Sequence, residues 1–292
     1  MIEGRGDNGK LLQRNTFKKA LELAINNDIE TVQIPITETK PEITVSEELE
    51  GLGLKEVLAI GYTSFYGSPR NRITNIAVGA SKINGALIAP EEEFSFNKTM
   101  GLVDGKTGFL MELVIKPEGT IPEYGGGVCQ ISTTTYRAAI FAGLPITERY
   151  PHSYAVSYYS QVLGHGLDAT VYSGGADLKF INNTGNYMLL QAYVKNKEEL
   201  YIVLYGTADG RKVEMDGPYI TDRQNPGPLV IIENPNLPEG VKKTPEKAHA
   251  GFKALWYRFI TNKDGEITKE EIRTTYKAIP AKQEVGTGII PQ

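Results

Sequence analysis

Cysteine, histidine and tryptophan are scarce in this sequence. Its 292 residues include one cysteine, Cys129, together with three histidines and one tryptophan. A single cysteine excludes an intramolecular disulfide framework and any zinc or iron–sulfur site made of several cysteines. Since only three histidines accompany it, we predict no metal site and no cofactor.

Basic clusters and long apolar runs are also missing. The formal net charge is −4, from 31 basic and 35 acidic residues, and binding to DNA or RNA needs clustered Lys and Arg. We therefore expect no nucleic-acid partner. No stretch approaches the roughly 18 apolar residues of a membrane span, and no signal peptide is recognisable, so these residues are expected to make no membrane contact. The remaining composition, 40% hydrophobic and 23% charged, is typical of a folded chain of about two domains.

Residues 1–45 have the pattern of a helix followed by a strand. Apolar residues recur at helical spacing after Thr16, a good N-cap, and the run from Thr31 to Pro35 alternates like a strand. One helix and one strand cannot bury a core. We therefore interpret residues 1–45 as the truncated end of a module plus a linker, which leads to a short helix near Ser46.

Residues 46–210 have the pattern of an α+β domain. Strand and helix signals alternate up to a helix predicted from about Gln130 to Ala142, which follows a run of three glycines. Three strand-like runs then follow at 178–181, 187–194 and 200–205, joined by turn signals at 182–185 and 196–198. This order predicts helices packed on a mainly antiparallel sheet, with these three strands as a meander.

Residues 211–292 have a different texture. A Pro- and Gly-rich linker at 216–245 contains one short strand, at 229–232, and two longer strand signals flank a hairpin turn at 262–265. We predict a small, elongated all-β module, and a tail over residues 284–292.

Cys129 combines two features of a reactive thiol. It follows Gly125-Gly126-Gly127, which lets the backbone approach a ligand closely, and it precedes a predicted helix, whose N-terminal N–H groups stabilise a thiolate. The alternative is a small buried cysteine at a helix start, since free cysteines are often buried. Spacing alone does not decide between the two.

A cysteine nucleophile needs a base, and the histidines are the candidates. His152, in a polar loop, is preferred to His165, which lies between two glycines, and His249 is expected to be exposed in a linker. Asp168 is the best candidate for a third group that orients the imidazole.

Several residues are candidates for substrate contacts. Arg149 is preferred to Arg137 and Arg72 for pairing with a substrate carboxylate. Ser132 begins a hydroxyl-rich run of the helix that binds ligand or caps backbone groups, and Tyr154 belongs to a tyrosine cluster suited to sugars, peptides or a half-buried sheet.

Several ordered motifs resemble the VanW-like family. They are "TSFYGSPRNRITNI", "INGALIAPEEEFSFN", "GGGVCQIS" with "AGLPITER", "HSYAVSYY" and "LDATVYSGGADLKFINNT", and together they cover roughly Tyr62 to Gly206. Residues 11–45 resemble the end of a peptidoglycan-binding module that often precedes this domain, and residues 212–285 a small β wall-associated domain that often follows it. Glu91 departs from the family, whose members commonly carry glycine there.

The resemblance implies a cell-wall L,D-transpeptidase with Cys129 as nucleophile. Its "HS" motif maps to His152 and Ser153, which strengthens His152 as the base. Gly126, Gly127 and Gln130 would then line the substrate site, with N–H groups near Cys129 and Gln130 holding the oxyanion. Peptidoglycan stem peptides and glycan are the expected partners, and L,D-carboxypeptidase activity is a close variant.

Two further expectations follow, and one alternative stays open. The protein is expected outside a bacterial cell, on the wall side of the membrane, anchored by an N-terminal segment that this chain does not include, and a monomer is favoured. The alternative is a non-catalytic peptidoglycan-binding or glycopeptide-resistance accessory protein, in which Cys129 is buried and unreactive.

Overall fold

The computed structural model describes residues 9–39, 49, 51–116 and 119–288. The predicted helix near Ser46 falls outside these ranges. Among the residues described, no helix has the length and apolar character needed to cross a bilayer.

The N-terminal segment contains one helix and a two-stranded antiparallel sheet. These elements are β1 (Gly9–Leu12), α1 (Arg14–Asn26) and β2 (Ile36–Thr39). Two predictions were wrong here. The helix begins before Thr16, because Gln13 occupies the N-cap position. The strand begins after Pro35, whose carbonyl oxygen instead accepts the backbone N–H of Gln13 at 2.9 Å.

The central part of the chain alternates helices with short strands, so the predicted mixture of α and β structure is confirmed. Its helices are α2 (Arg70–Ile83), α3 (Phe96–Met100), α4 (Val128–Phe141) and α5 (Ser157–Leu163). Its strands are β3 (Glu56–Ser64), β4 (Ala86–Ile88), β5 (Glu93–Ser95), β6 (Met111–Lys116), β7 (Gly119–Tyr124), β8 (Ile146–Glu148), β9 (Lys179–Ile181), β10 (Met188–Lys195) and β11 (Glu199–Gly206).

These strands form separate sheets, so the predicted three-stranded meander was wrong. β10 and β11 form the expected hairpin within a sheet of order β3–β11–β10–β4, but β9 lies in another sheet, between β5 and β8. The buried side chain of Asn182 explains the separation. Its amide donates to the carbonyl oxygens of Ile88, Ala89 and Asn186, which holds the chain after β9 against the end of β4.

Helix α4 packs directly on strand β3. A Cβ atom built at Gly61 would lie 2.0 Å from the carbonyl oxygen of Thr134 and 2.8 Å from the backbone nitrogen of Ala138, so only glycine permits this approach. The apolar side chains of α4 belong to the main core, where Ile131 and Ile140 are fully buried. This packing fixes the helix that begins beside Cys129.

The C-terminal residues form two three-stranded sheets. The strands are β12 (Lys212–Gln224), β13 (Val230–Pro238), β14 (Lys242–Glu246), β15 (Gly251–Thr261), β16 (Ile267–Tyr276) and β17 (Lys282–Gly288). One sheet has the order β12–β15–β16 and the other β13–β17–β14. The predicted tail from residue 284 was wrong, because β17 is the central strand of its sheet and pairs with a strand on each side.

The first of these sheets packs on the central residues. Arg258 of β15 is buried, and it donates to the carbonyl oxygens of Ile140 and Leu144, at 3.3 and 3.0 Å. Trp256 of the same strand is part of the main hydrophobic core. Contacts from this sheet therefore reach the end of the helix that carries Cys129.

Candidate active site

The glycine run before Cys129 forms a tight turn that only glycine tolerates. Gly125 and Gly127 have φ angles of +87° and +116°, in the region that L residues rarely adopt. A Cβ atom at Gly126 would lie 2.7 Å from the carbonyl oxygen of Leu113. The buried side chain of Asn75 donates to the carbonyl oxygen of Gly126 at 3.0 Å. Cys129, half-buried, follows in the first turn of α4.

The structure brings Cys129, His152 and Asp168 together. Asp168 and His152 are both buried, and the Nδ1 atom of His152 lies 2.6 Å from Oδ2 of Asp168. The imidazole also acts on the Cys129 thiol, since hydrogen bonding and charge from His152 both lower the pKa of that thiol. Since Asp168 occupies Nδ1, the Nε2 atom is the one left to face the sulfur. The order of thiol, imidazole and carboxylate is that of a nucleophile, a base and an orienting acid.

The electrostatics of these three groups favour an ion pair. Burial raises the pKa of Cys129, but the hydrogen bond and charge of His152 outweigh it, and this pKa falls below its ordinary value. Burial lowers the pKa of His152, but hydrogen bonds to Asp168 and Cys129 outweigh it and raise this pKa to about 9. The Asp168 pKa is well below its usual range, since its bonds and charge interactions with His152 overcome burial. Both shifts favour the thiolate–imidazolium form of the pair over the neutral form.

Asp168 is held by two further side chains. Arg149 donates from Nε to the backbone carbonyl oxygen of Asp168 at 2.6 Å, and its terminal nitrogen lies 3.5 Å from Oδ1. The same nitrogen donates to the carbonyl oxygen of Gly166 at 2.9 Å. The hydroxyl of Tyr276 donates to Oδ1 of Asp168 at 2.5 Å. Arg149 was predicted to pair with a substrate carboxylate, but the structure directs its donors to the loop that carries Asp168.

The sulfur of Cys129 lies against the segment that follows Asp168. It is 3.5 Å from the carbonyl oxygen of Val171, and a hydrogen bond with Thr170 lowers its pKa further. The buried ring of Tyr159 is centred 5.0 Å from that of His152. The Cys129 charge helps to raise the pKa of Tyr159, although burial is the larger cause.

The other two histidines lie at the contact with the C-terminal sheets. The His165 ring packs edge-on against Phe252, with ring centroids 4.9 Å apart, and burial lowers its pKa. The His249 ring stacks on Tyr154, with centroids 3.9 Å apart, and is half-buried. The expectation of an exposed His249 was therefore wrong, because a neighbouring aromatic ring covers it.

Four of the predicted substrate contacts have internal partners in the structure. Gln130 is fully buried, and its side-chain amide is satisfied inside the protein. Its nitrogen donates to the carbonyl oxygen of Ser64, and its oxygen accepts from Arg72. Ser132 donates to the carbonyl oxygen of Ala169 at 2.6 Å. Tyr154 and Ser153 lie at the contact with the C-terminal sheets. The ring of Tyr154 stacks with that of His249. The side chain of Ser153 is exposed, but its backbone carbonyl oxygen accepts the N–H of Lys277.

The backbone N–H groups near the sulfur are partly occupied. The Gln130 N–H donates to the carbonyl oxygen of Gly127 at 2.9 Å, and the Val128 N–H to that of Gly125 at 2.9 Å. The expectation that the Gln130 N–H is open to an oxyanion was wrong, because the turn closes on it. Within the described residues no backbone acceptor is paired with the Cys129 N–H, and it is the candidate oxyanion donor.

Sequence reasoning missed three residues around the site: Tyr159, Arg72 as a structural cation, and Tyr276. Arg72 donates to Gln130 at 2.8 Å and to Ser68 at 2.9 Å, and its guanidinium lies 4.1 Å from the centre of the Tyr158 ring. Tyr276 is 108 residues from Asp168 in sequence, so no local pattern links the two. The tyrosine cluster that contains Tyr159 was the available signal for that residue.

Comparison with known proteins identifies the domain that contains this site. Residues 71–205 match the family model described as VanW like protein. These residues therefore form a VanW-like domain, and Cys129, His152 and Asp168 all lie within it.

Two individual relatives extend this result. The chain is 31% identical over 183 residues to the uncharacterized protein YoaR of Bacillus subtilis (strain 168), which covers 63% of this chain and 58% of that protein. It is 31% identical over 117 residues to the vancomycin B-type resistance protein VanW of Enterococcus faecalis (strain ATCC 700802 / V583), which covers 39% of this chain and 42% of that protein. The chain thus matches about half the length of each relative. Among solved structures, the IgA1 protease G5 domain matches 27% of this chain at 25% identity and a TM-score of 0.17.

Proposed function

We propose that this protein is a cysteine acyltransferase of the bacterial cell wall, an L,D-transpeptidase. The observation that carries the proposal is the contact of Cys129, His152 and Asp168 at a glycine turn and a helix N-terminus, with a lowered Cys129 pKa. A thiolate is the reactive form of cysteine, and imidazole is the usual base and acid of such sites.

The cell-wall substrate is supported by the VanW-like domain. One relative is named as a vancomycin resistance protein, and vancomycin is an antibiotic that acts on the cell wall. Stem peptides and glycan of peptidoglycan are accordingly the proposed partners. A location on the wall side of the bacterial membrane, reached with the help of an N-terminal anchor outside this chain, forms part of the proposal.

The first half of the reaction forms a thioester. The Cys129 thiolate attacks the carbonyl carbon of the third residue of a tetrapeptide stem, and negative charge develops on the carbonyl oxygen. The Cys129 N–H is the proposed donor to that oxygen, and such a donor is worth about 3 kcal/mol in the transition state. The bond to the terminal D-Ala then breaks, and the imidazolium of His152 gives its proton to the departing amine.

The second half transfers the acyl group. Neutral His152 takes a proton from the amine of a neighbouring stem as this amine attacks the thioester carbon. The carbon–sulfur bond breaks and returns the thiolate, and the product is a cross-link between two third-position residues. Water as acceptor would give the tetrapeptide shortened by one residue, which is the carboxypeptidase variant.

Mass spectrometry of purified disaccharide tetrapeptides tests the proposal. Wild-type protein is expected to release D-Ala and form dimers cross-linked between third residues, and Cys129→Ala and His152→Gln are expected to lose both products. His165→Gln is the matched control, since this histidine packs on Phe252 instead of the thiol, and it should retain most of the activity. Full activity of Cys129→Ala would refute the assignment. Stem-peptide binding without any product, unchanged in Cys129→Ala, would support the non-catalytic alternative.

A further inference from the structure

Tyr276 joins the C-terminal sheets to the carboxylate of the candidate site. It is the last residue of β16, and its buried hydroxyl donates to Oδ1 of Asp168 at 2.5 Å. The same hydroxyl accepts the backbone N–H of Gly166 at 3.0 Å. Both roles of the hydroxyl are therefore used within one loop of the VanW-like domain.

Other contacts hold the same loop. Thr274 of β16 donates to the carbonyl oxygen of Gly166 at 2.8 Å, and the indole of Trp256 in β15 donates to that of His165 at 2.8 Å. The loop that carries His152 is held in the same way, since the Lys277 N–H donates to the carbonyl oxygen of Ser153 at 2.7 Å. The C-terminal sheets thus bind both segments that supply the base and the carboxylate.

We infer that Tyr276 is a positioning residue for the Cys129–His152–Asp168 site and that the C-terminal sheets complete this site. The inference rests on the proposed function only in so far as it assumes that the three residues act together. It departs from the expectation that these sheets are an attached wall-associated module alone.

The geometry of the carboxylate explains why a positioning residue is needed. Oδ2 of Asp168 accepts from His152, and Oδ1 accepts from Tyr276 on the other side. With a donor on each oxygen the carboxylate cannot rotate away from the imidazole. Burial and the Asp168 charge raise the pKa of Tyr276, so the hydroxyl keeps its proton and remains a donor. A phenylalanine at this position leaves Oδ1 with only Arg149, at 3.5 Å.

Other charged or titratable groups face the same atoms and contribute to any pH profile. Around Asp168 they are Arg149, Arg137, His165 and Tyr136, and Tyr159 is close to both Asp168 and Cys129. None of these groups donates a hydrogen bond to Oδ1 of Asp168 at a distance as short as that of Tyr276. The hydroxyl can therefore be tested by a change that leaves these groups in place.

The test is the pH profile of Cys129 alkylation by iodoacetamide in the full chain. Tyr276→Phe keeps the ring that packs on Phe252, with centroids 5.1 Å apart, and removes only the hydroxyl. The midpoint is expected to rise by at least about half a pH unit, which is roughly a threefold loss of thiolate below the midpoint. Tyr257→Phe is the matched control in the same sheet, since its ring packs on Tyr219 and Lys269, and its profile should superimpose on that of the wild type. If Tyr276→Phe does not fold, Thr274→Val removes the other β16 hydroxyl that holds this loop, through the carbonyl oxygen of Gly166, and the midpoint should rise in the same direction.

The possible outcomes separate this inference from the proposed function. A lowered wild-type midpoint with an unchanged profile in Tyr276→Phe overturns the inference and leaves the transpeptidase proposal standing. A shifted profile without any cross-linked product supports the inference and refutes the transpeptidase. A wild-type midpoint at that of an ordinary thiol, unaffected by Tyr276, overturns both.

Discussion

One oxygen of Asp168, Oδ2, accepts two hydrogen bonds from His152, from the backbone N–H at 2.8 Å and from Nδ1 of the ring at 2.6 Å. The carboxylate therefore fixes the loop and the ring of the same residue. Because the ring is tied at Nδ1, its tautomer is set as well as its orientation. Four predictions follow from this relationship and from the packing around it.

Asp168→Asn should disable the site while the chain stays folded. An amide cannot stabilise the imidazolium as a carboxylate does, so the pKa of His152 falls and that of Cys129 rises. We expect a loss of at least about 10²-fold in acyl transfer and a higher midpoint for Cys129 alkylation. Asp177→Asn is the control, since Asp177 is also buried but bonds to Ser95 and Asn97. An unchanged alkylation profile in Asp168→Asn would contradict the assigned role.

Cys129→Ala should make the free energy of unfolding fall as pH rises above 6.5. In the folded wild type, Cys129 and His152 together hold one proton at pH values between the lowered pKa of Cys129 and the His152 pKa of about 9. In the unfolded chain the ordinary pKa values are 6.5 for the histidine and 9.0 for the cysteine, and the two groups again hold one proton between these values. Stability is then nearly independent of pH over the shared interval. Without the thiol, His152 loses the share of its raised pKa that comes from Cys129 but keeps the hydrogen bond and charge of Asp168. We expect these to hold a proton that the unfolded chain releases, so that stability falls by at most about 1.4 kcal/mol per pH unit. Urea denaturation at several pH values measures both slopes, and equal slopes would show that Asp168 alone does not keep His152 protonated.

Arg72→Leu should destabilise the protein, because it leaves the buried side-chain oxygen of Gln130 without its donor. An unsatisfied buried polar group costs about 1 to 3 kcal/mol, so chemical denaturation should show a loss of that size. Arg70→Leu is the matched control, since Arg70 lies in the same helix and is exposed. A loss no larger than that of the control would show that the contact contributes little.

Gly61→Ala should push helix α4 away from strand β3. The added methyl group would meet the backbone of Thr134 and Ala138, and neither can move without the helix. We expect a loss of about 1 to 3 kcal/mol in the free energy of unfolding and a shifted Cys129 alkylation rate. Gly51→Ala, with nothing within 4 Å of the added methyl, should leave both unchanged.

The sequence predicted the elements of the site better than its surroundings. Cys129, His152 and Asp168 were expected together, since the glycine run and the helix start are local signals that a single sequence carries. The internal partners of Arg149 and the hydrogen bond from Tyr276 to Asp168 depend on contacts between segments that are distant in sequence. Local patterns do not report such contacts.

The same limit explains the errors in the fold. Hairpin signals at residues 196–198 and 262–265 were correct, because a turn is determined by its own residues. The turn signal at 182–185 did not produce a hairpin, because buried Asn182 bonds to the end of another strand. Strand β17 was missed because its apolar pattern is weak and its partners, β13 and β14, supply the pairing.

The hydrogen bond between the Ala169 N–H and the Thr133 hydroxyl makes the opening of the site measurable by amide hydrogen exchange. Ser132 and Thr133 lie in helix α4, and the buried backbone N–H of Ala169, next to Asp168, donates to the Thr133 hydroxyl at 3.1 Å. This amide hydrogen can exchange with deuterium only when helix and loop separate. The exchange rate of one residue therefore measures how often helix α4, which carries Cys129, separates from the loop that carries Asp168.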